Sequence, residues 1–279
     1  MNSSADTFIP PQPPPPRLKR RMNGERLLGI VVIVLMALLG LGIVWFLYSS
    51  WDLEFVEKYG PKYLKGLGIT VQLVGISIVL GAMLSLPVAL GRMSANVAVK
   101  PVAFAYVYFF RGTPLLAQIF LVYYGAGVFV AELKSIGLWV FFRDPWNCAV
   151  FTFTLNTAAY QAEILRGAIQ SVPRGQWEAS AALGLKRWQT FRKVILPQAL
   201  IVALRPYGNE IILMIKGSAI VAIITVLDLM GETRRAFSRT YDFQTYIWAA
   251  IFYLLIVEIL RNAWDRLEQR LTRHLKRED

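Results

Sequence analysis

Uninterrupted apolar segments, longer than a soluble helix needs, dominate the sequence. The first, Leu27 to Tyr48, has 22 residues, and about 20 suffice to cross a hydrocarbon core of ~30 Å. Hydrophobic residues make up 56% of the 279 residues, compared with roughly 45–50% in soluble domains. Because a backbone in lipid must satisfy its own hydrogen bonds, such segments form helices. The sequence therefore predicts an all-α, polytopic membrane helix bundle.

The remaining apolar segments divide the chain. Five further spans are predicted, over residues 67–90, 102–124, 147–165, 194–215 and 243–260. The loop 126–146 is predicted to be interfacial. Residues 218–231 are too short to cross and are interpreted as re-entrant or as lying in the outer part of the bundle. The predicted domains are a disordered cytoplasmic Pro-rich tail at 1–26, an extra N-terminal transmembrane helix at 27–48, a central domain at 62–265 and a cytoplasmic basic tail at 266–279.

The distribution of positive charge predicts the orientation of the chain. With both termini cytoplasmic, 19 of the 30 Lys and Arg residues lie in inner segments and 9 in outer segments, in agreement with the positive-inside rule. The net charge of +12 does not indicate nucleic acid, because no long basic soluble face is available. Cys148 and His274 are the only cysteine and histidine, which excludes a disulfide within the chain and argues against a Cys/His metal site.

One polar stretch, Gln176 to Ala199, separates the fourth and fifth predicted spans. Pro173 ends the fourth helix before it, and Pro197 lies near the start of the fifth, where a proline costs least. Between them, Glu178 begins a short helix whose small residues permit another backbone to approach closely. We interpret the stretch as a cytoplasmic handle for another protein; an ordinary amphipathic connector is the alternative for any single feature of it.

The handle is where a family resemblance becomes visible. Glu178-Ala179-Ser180, Gly184 and Ile195-Leu196-Pro197 resemble the EAA loop of ABC importer permeases, with Ser180 in place of the second alanine. Four other motifs resemble the polar amino-acid branch, and within it the M-type permeases of histidine/lysine/arginine/ornithine and opine importers: Arg111 to Leu115, Thr154 to Tyr160, Glu163 to Ala168 and Asn209 to Met214. The resemblance covers about residues 62–270 and implies a five-helix permease core plus one extra N-terminal span.

The resemblance also implies the partners and the division of labour. The handle would dock on a cytoplasmic ABC ATPase dimer through Glu178, Ala179, Ala182, Gly184, Leu185 and Pro197. An extracytoplasmic amino-acid-binding protein would deliver the substrate, and a second homologous permease would complete a heterodimer in the bacterial inner membrane, in contact with membrane lipid. The chain has no G-x-x-x-x-G-K-[ST] phosphate loop, so it is not expected to be an enzyme or to hold a cofactor; ATP and Mg would bind to the ATPase. Glu178 has an alternative role as a cap of its own helix.

Polar residues inside the predicted spans are the candidates for substrate binding, because such groups usually face a cavity or a partner. Glu210 is expected to attract a cationic group and Asn209 to donate and accept hydrogen bonds. Two alternatives are open: Glu210 pairs with Arg205 or Lys216, and Arg111 and Thr113 form a structural kink in which Thr113 replaces the hydrogen bond lost to Pro114. Glu163 and Arg166 are interpreted as a structural ion pair. The complete candidate set is Asn209, Glu210, Arg111, Thr113, Asn156 and Tyr160.

The predicted function is therefore the membrane-spanning subunit of an ATP-driven importer for a basic or polar amino acid, or an opine. The alternative is an ATP-independent amino-acid carrier or channel, marked by internal repeats or a chain of proton-relay acids, neither of which is evident. A membrane scaffold without transport is a third possibility, and it would not explain Asn209 and Glu210. The choice among individual amino acids and opines stays open.

Overall fold

A computed structural model describes residues 24–49 and 53–273, in two compact units that divide between these ranges. The predicted tail at 1–26 and the last residues of the basic tail lie mostly outside them. The described part of the first unit is one helix, α1 (Gly24–Ser49), in which no residue is buried and which is long and apolar enough to cross a membrane. It matches the predicted N-terminal span.

The described part of the second unit is helical and contains no strand. Four helical segments of the described chain are long and apolar enough to span: α1, α2, the run Arg187–Ile224 and α12; a bent pair, α3 and α4, raises the number to five. The all-α prediction is confirmed. The helices of this unit are α2 (Leu53–Met93), α3 (Val99–Gly112), α4 (Leu115–Val128), α5 (Val130–Ser135), α6 (Trp139–Phe142), α7 (Pro145–Ser171), α8 (Arg174–Ala182), α9 (Arg187–Thr190), α10 (Leu196–Gly217), α11 (Leu229–Thr240) and α12 (Gln244–Leu271).

The second span is longer than the apolar run that predicts it. Instead of starting near residue 67, α2 starts at Leu53 and continues for 41 residues through Pro61. Its polar and aromatic beginning is amphipathic: Phe55, Tyr59 and Tyr63 recur every four residues and are buried in one cluster with Leu229 of α11. Residues four apart share a helix face, so tertiary packing holds this segment helical although its composition is typical of a loop.

The third predicted span is broken rather than continuous. Helices α3 and α4 meet at Pro114 at an angle of 104°. Pro114 has no N–H for the carbonyl of Phe110, and that carbonyl instead accepts from the side-chain amides of Gln118 (2.9 Å) and Asn156 (3.1 Å). The expectation that Thr113 replaces the lost bond is wrong, because its hydroxyl donates to the carbonyl of Phe109 at 2.7 Å.

Helices α2 and α7 form the centre of the bundle, and small residues let them pack closely. Ala158, Ala159 and Ala162 of α7 are completely buried. A Cβ atom at Gly81 of α2 would lie only 2.5 Å from Cγ2 of Thr157. Small residues at a helix interface allow this close approach in a membrane bundle, and here it brings the polar side chains of α7 against α2.

Residues 218–231 do not form one helix. A 3₁₀ turn over Ser218–Ile224 ends at Thr225, which has a left-handed backbone with φ of 67°. Asp228 then caps α11 by accepting from the backbone N–H of Gly231 at 2.8 Å, and its other oxygen lies 3.4 Å from the hydroxyls of Thr70 and Tyr253. These contacts hold Asp228 against α2 and α12, whereas Ser218–Ile224 belongs to the run Arg187–Ile224 that is long and apolar enough to span. That residues 218–231 are re-entrant stays a prediction.

Candidate functional site: a charged cavity and a surface helix

A cavity of about 300 Å³ lies where the break between α3 and α4 faces α7 and α10. Four of the six candidate substrate-binding residues line it: Thr113, Asn156, Tyr160 and Glu210. Pro114, Leu115, Leu213 and Met214 complete its wall. Residues at the break itself, Thr113 to Leu115, form one wall of this cavity, so the bend between α3 and α4 shapes it.

Glu210 is the charged group of this cavity. It is only 5% exposed, and its Oε1 accepts a hydrogen bond of 3.0 Å from the hydroxyl of Thr157. The expected pairing with Arg205 is wrong, because Arg205 lies 2.6 Å from Glu268 instead. Lys216 forms no ion pair with Glu210 either: among the described residues, no Lys or Arg nitrogen lies within 4.0 Å of this carboxylate.

Asn209 does not join Glu210 in this cavity. It is exposed and lines a separate hollow of about 300 Å³ between α10 and α12, together with Arg205, Trp264 and Glu268. Adjacent residues of a helix point in directions about 100° apart. The two neighbouring residues therefore face different surroundings.

Arg111 lies beside the cavity, in an adjoining hollow of about 340 Å³. Tyr160 lines both spaces, and the guanidinium carbon of Arg111 is 5.2 Å from the centre of its ring. Glu163 lies one turn further along α7. Its carboxylate forms ion pairs with Arg166 at 2.8 Å and with Arg92 at 2.9 Å. The interpretation of Glu163 and Arg166 as an ion pair is confirmed, and the structure adds Arg92 to it.

Three polar residues that support the cavity were not among the sequence candidates. Gln161 donates to the Thr157 hydroxyl (3.0 Å) and to the carbonyl of Ile78 (3.2 Å). Gln118 donates to Thr113 and accepts from Asn156 at 2.9 Å. The spacing of Thr157 and Gln161, four residues apart within an apolar span, was the signal that could have identified this pair.

The first part of the handle lies in a separate short helix, α8, as predicted, and the rest of it runs through α9 and the π turn into α10. Helix α8 begins at Arg174, directly after Pro173, and Glu178 is its fifth residue. The capping alternative for Glu178 is wrong, because α8 has no side-chain cap and Glu178 is exposed. Ala179, Ala182 and Gly184 are exposed as well, whereas Ser180 is buried and donates to the Gln176 carbonyl at 2.7 Å.

Gly184 ends this helix by its backbone conformation. Its φ of +72° is left-handed, which costs a residue with a Cβ about 1–2 kcal/mol. The N–H groups of Gly184 and Leu185 donate hydrogen bonds to the carbonyls of Ala181 (2.9 Å) and Ser180 (3.1 Å), respectively. This is the pattern of a Schellman motif. The chain then enters α9, the π turn Phe191–Ile195 and α10.

An apolar groove of about 770 Å³ runs beside α8. Trp188 at its edge is 64% exposed, and nearby Leu183 is 80% exposed. Beneath the groove, Val172 and Trp177 pack into the cluster that contains Ile195 and Ala199. The helix is thus fixed to α10 from below while its outer face is open. The groove is lined by Leu90, Trp177, Glu178, Ala181, Leu185, Arg187, Trp188, Thr190 and Phe191.

The described residues contain no group of three His, Cys, Asp or Glu side chains that could hold a metal ion. The fold and the two surfaces define the class: a multi-pass membrane protein with a small charged cavity in its bundle and an exposed helix beside an apolar groove. Residues 77–273 match the family described as binding-protein-dependent transport system inner membrane component. The chain belongs to this family of permease subunits of the inner membrane and is not itself an enzyme.

Relatives and solved structures agree with this assignment. The chain is 40% identical to the nopaline transport system permease protein of Agrobacterium fabrum over 226 residues, 81% of this chain and 94% of that protein. It is 39% identical to the histidine/lysine/arginine/ornithine transport system permease protein of Salmonella typhimurium, over 80% of this chain and 98% of that protein. A crystal structure of an amino acid ABC transporter with histidines superposes with a TM-score of 0.70 at 35% identity, covering 79% of this chain and 99% of that chain. An inward-facing methionine ABC transporter, 20% identical with a TM-score of 0.64 over 80% of this chain and all of that chain, shares the fold.

Proposed function

We propose that this permease subunit imports a basic amino acid, or an opine derived from one, through the cavity at Glu210. The observation that carries the proposal is a carboxylate that is 5% exposed, lines a cavity and has no cationic partner within 4.0 Å in the described chain. A charge inside a membrane bundle is costly unless something pairs with it. A guanidinium or ammonium group of the cargo supplies that partner.

The relatives support the same class of substrate. Their names specify transport of nopaline, of octopine, and of histidine, lysine, arginine and ornithine. Asn156, Tyr160 and Thr113 line the cavity beside Glu210 and provide neutral hydrogen-bonding groups for the rest of the molecule. Arg111 and Asn209 stay candidates from the adjoining hollows.

The proposal includes the partners. The open groove at α8, with Glu178, Ala179, Ala182, Gly184, Leu185 and the more distant Pro197, receives a cytoplasmic ATPase that binds ATP and Mg. Two ATPases need two such helices, so a second homologous permease completes a heterodimer, and an extracytoplasmic binding protein delivers the cargo. With α8 cytoplasmic, both ends of the chain are proposed to lie on the same side, which is the orientation that the positive-inside rule favours. The domain division at 27–48, 62–265 and 266–279 stays part of the proposal, although α12 continues through residue 266.

Uptake into proteoliposomes tests the proposal. The permease is reconstituted with its partner permease, the ATPase and the binding protein, and competition is measured among arginine, lysine, histidine, ornithine, nopaline and octopine. Glu210→Gln should lower uptake of the transported basic compound about 30-fold, because removing one member of a buried charge pair costs 2–5 kcal/mol. Glu258→Gln, at an exposed carboxylate of α12, is the control. Normal uptake by Glu210→Gln, with assembly intact in both variants, would remove Glu210 from the site.

A further inference from the structure

The hollow next to the cavity carries more positive than negative charge. Three guanidinium groups, from Arg92, Arg111 and Arg166, surround the single carboxylate of Glu163. Arginine does not deprotonate in proteins, so this group of four side chains has a net charge of +2. Because the side chains are partly withdrawn from solvent inside a helix bundle, a charge without a partner there is costly.

Glu163 satisfies two of the three arginines. Arg166 makes three contacts of 2.8–3.1 Å to its carboxylate and a further one to Gln170. Arg92 donates to it at 2.9 Å and stacks on Phe104 at 4.8 Å. Both carboxylate oxygens of Glu163 are thereby occupied by hydrogen bonds, and the remaining excess of charge lies with Arg111.

Arg111 is held in place without being neutralised. Its nearest acidic atom is Oε2 of Glu163 at 3.8 Å, which is beyond hydrogen-bonding distance. Its guanidinium also lies over the face of Tyr160, at 5.2 Å from the ring centre, and within electrostatic range of Glu210, and its side chain is 43% exposed. The fork of N–H donors on an arginine matches a carboxylate in two parallel hydrogen bonds.

We propose that Arg111 binds the carboxylate of the transported molecule while Glu210 binds its cationic group. This inference rests on the proposed function at Glu210. Thr157, which contacts Glu210, and Tyr160, which lies under Arg111, are three residues apart on α7, or about 4.5 Å along its axis. Tyr160 lines both spaces. The two charged sites are therefore close enough for the two ends of one small zwitterion, and the substrate class is a molecule that carries a carboxylate as well as a cation.

Pairs of amino acids and their decarboxylated amines test this assignment. Equilibrium binding to the purified complex of both permeases and the ATPase, without the binding protein, is measured for arginine and agmatine, lysine and cadaverine, and histidine and histamine. The wild-type complex should bind at least one amino acid about 30-fold more tightly than its amine, because the amine leaves Arg111 unpaired. Arg111→Gln should abolish this preference while amine binding changes by less than about 3-fold.

Further variants separate the possible outcomes. Arg111→Lys keeps the charge without the fork and should retain part of the preference, so it serves where Arg111→Gln does not assemble. Arg143→Gln, at an exposed residue outside both spaces, should leave the preference unchanged. An undiminished preference in either Arg111 variant that assembles would overturn the inference and leave the role of Glu210 standing. Wild-type complex that binds none of the six compounds and imports no basic compound would overturn both proposals.

Discussion

At the scale of single residues, the hydroxyl of Thr157 connects two polar side chains, those of Glu210 and Gln161. It donates to Glu210 at 3.0 Å and accepts from Gln161 at 3.0 Å, so it fixes the direction of a carboxylate that would otherwise rotate in the cavity. Thr157→Val keeps the shape of the side chain and removes both bonds. We expect binding of the basic substrate to the purified complex to weaken about 5–10-fold, the equivalent of one hydrogen bond of roughly 1 kcal/mol.

A second threonine of the same helix provides the matched control for that substitution. Thr152 is also completely buried, but its hydroxyl donates only to the carbonyl of Cys148 within α7. Thr152→Val also replaces a buried hydroxyl by a methyl group, and it should leave substrate affinity unchanged. Equal losses in the two variants would mean that the effect of Thr157→Val is a general loss of packing in α7, not a loss of orientation at Glu210.

Which polar residues line the cavity was largely predictable from the sequence, but which of them contact one another was only partly so. Glu210, Asn156, Tyr160 and Thr113 were identified because polar groups are expensive in apolar spans, and the structure places them around one cavity. Asn209 was grouped with Glu210 by sequence proximity, although neighbours on a helix diverge. The partner of Glu210 is 53 positions away, and no local pattern contains that contact.

At the scale of elements, the end of α8 depends on one backbone conformation. Gly184 has φ of +72° and no neighbouring atom within 4 Å of an added Cβ. A residue with a Cβ would therefore strain the backbone here without a steric clash against its neighbours. Gly184→Ala should cost about 1–2 kcal/mol of local stability and displace Leu185 and Trp188 from the groove. Co-purification of the ATPase should weaken about 5–30-fold, with membrane insertion unchanged.

Two substitutions distinguish strain from volume in this prediction. Gly184→Asn adds a larger side chain but tolerates the left-handed conformation, and it should retain most ATPase binding. Gly175→Ala, inside α8 with nothing within 4 Å of its added Cβ, should also bind normally. If Gly184→Asn binds as weakly as Gly184→Ala, the conformation of residue 184 is not what shapes the groove.

The observed ends of the helices show where apolar composition no longer predicts helix boundaries. Apolar runs predicted the spans within α2 and α12, because length and hydropathy decide membrane insertion. The span predicted at 147–165 lies within α7, which is not among the described helices that are apolar enough to cross by length and composition, so it stays a prediction. They missed the first third of α2, where Phe55, Tyr59 and Tyr63 are buried against the later helices. The motif at Pro114 indicated a kink, but the 104° bend depends on the amides of Gln118 and Asn156, and these reach the Phe110 carbonyl only in the folded bundle.

At the scale of the whole molecule, the cavity and the surface helix are joined by one continuous helical run. Arg187–Ile224 is long enough to span; it begins beside α8 and carries Glu210 into the bundle. From Pro197 to Glu210 is 13 residues, or about 20 Å. Ile195 and Ala199, near its start, are completely buried, and they share a cluster with Val172, just before α8, and with the partly buried Trp177 of α8. Helix α8 is thus in contact with the helical run that carries the candidate binding site.

The last prediction separates engagement of the ATPase from substrate binding. Glu178 is exposed at the groove and makes no hydrogen bond or ion pair among the described residues, so Glu178→Lys should not disturb the fold of the bundle. It should oppose a basic partner surface, and like charges brought together at an interface cost several kcal/mol. We expect uptake into proteoliposomes to fall at least 10-fold, while substrate binding to the purified permease and its thermal unfolding stay unchanged. Glu178→Gln, which removes the charge without reversing it, should fall between the wild type and Glu178→Lys. Uptake at the wild-type rate in Glu178→Lys would show that the ATPase does not engage α8 at this residue, and reduced substrate binding would show that the change acts on the cavity instead of on the partner.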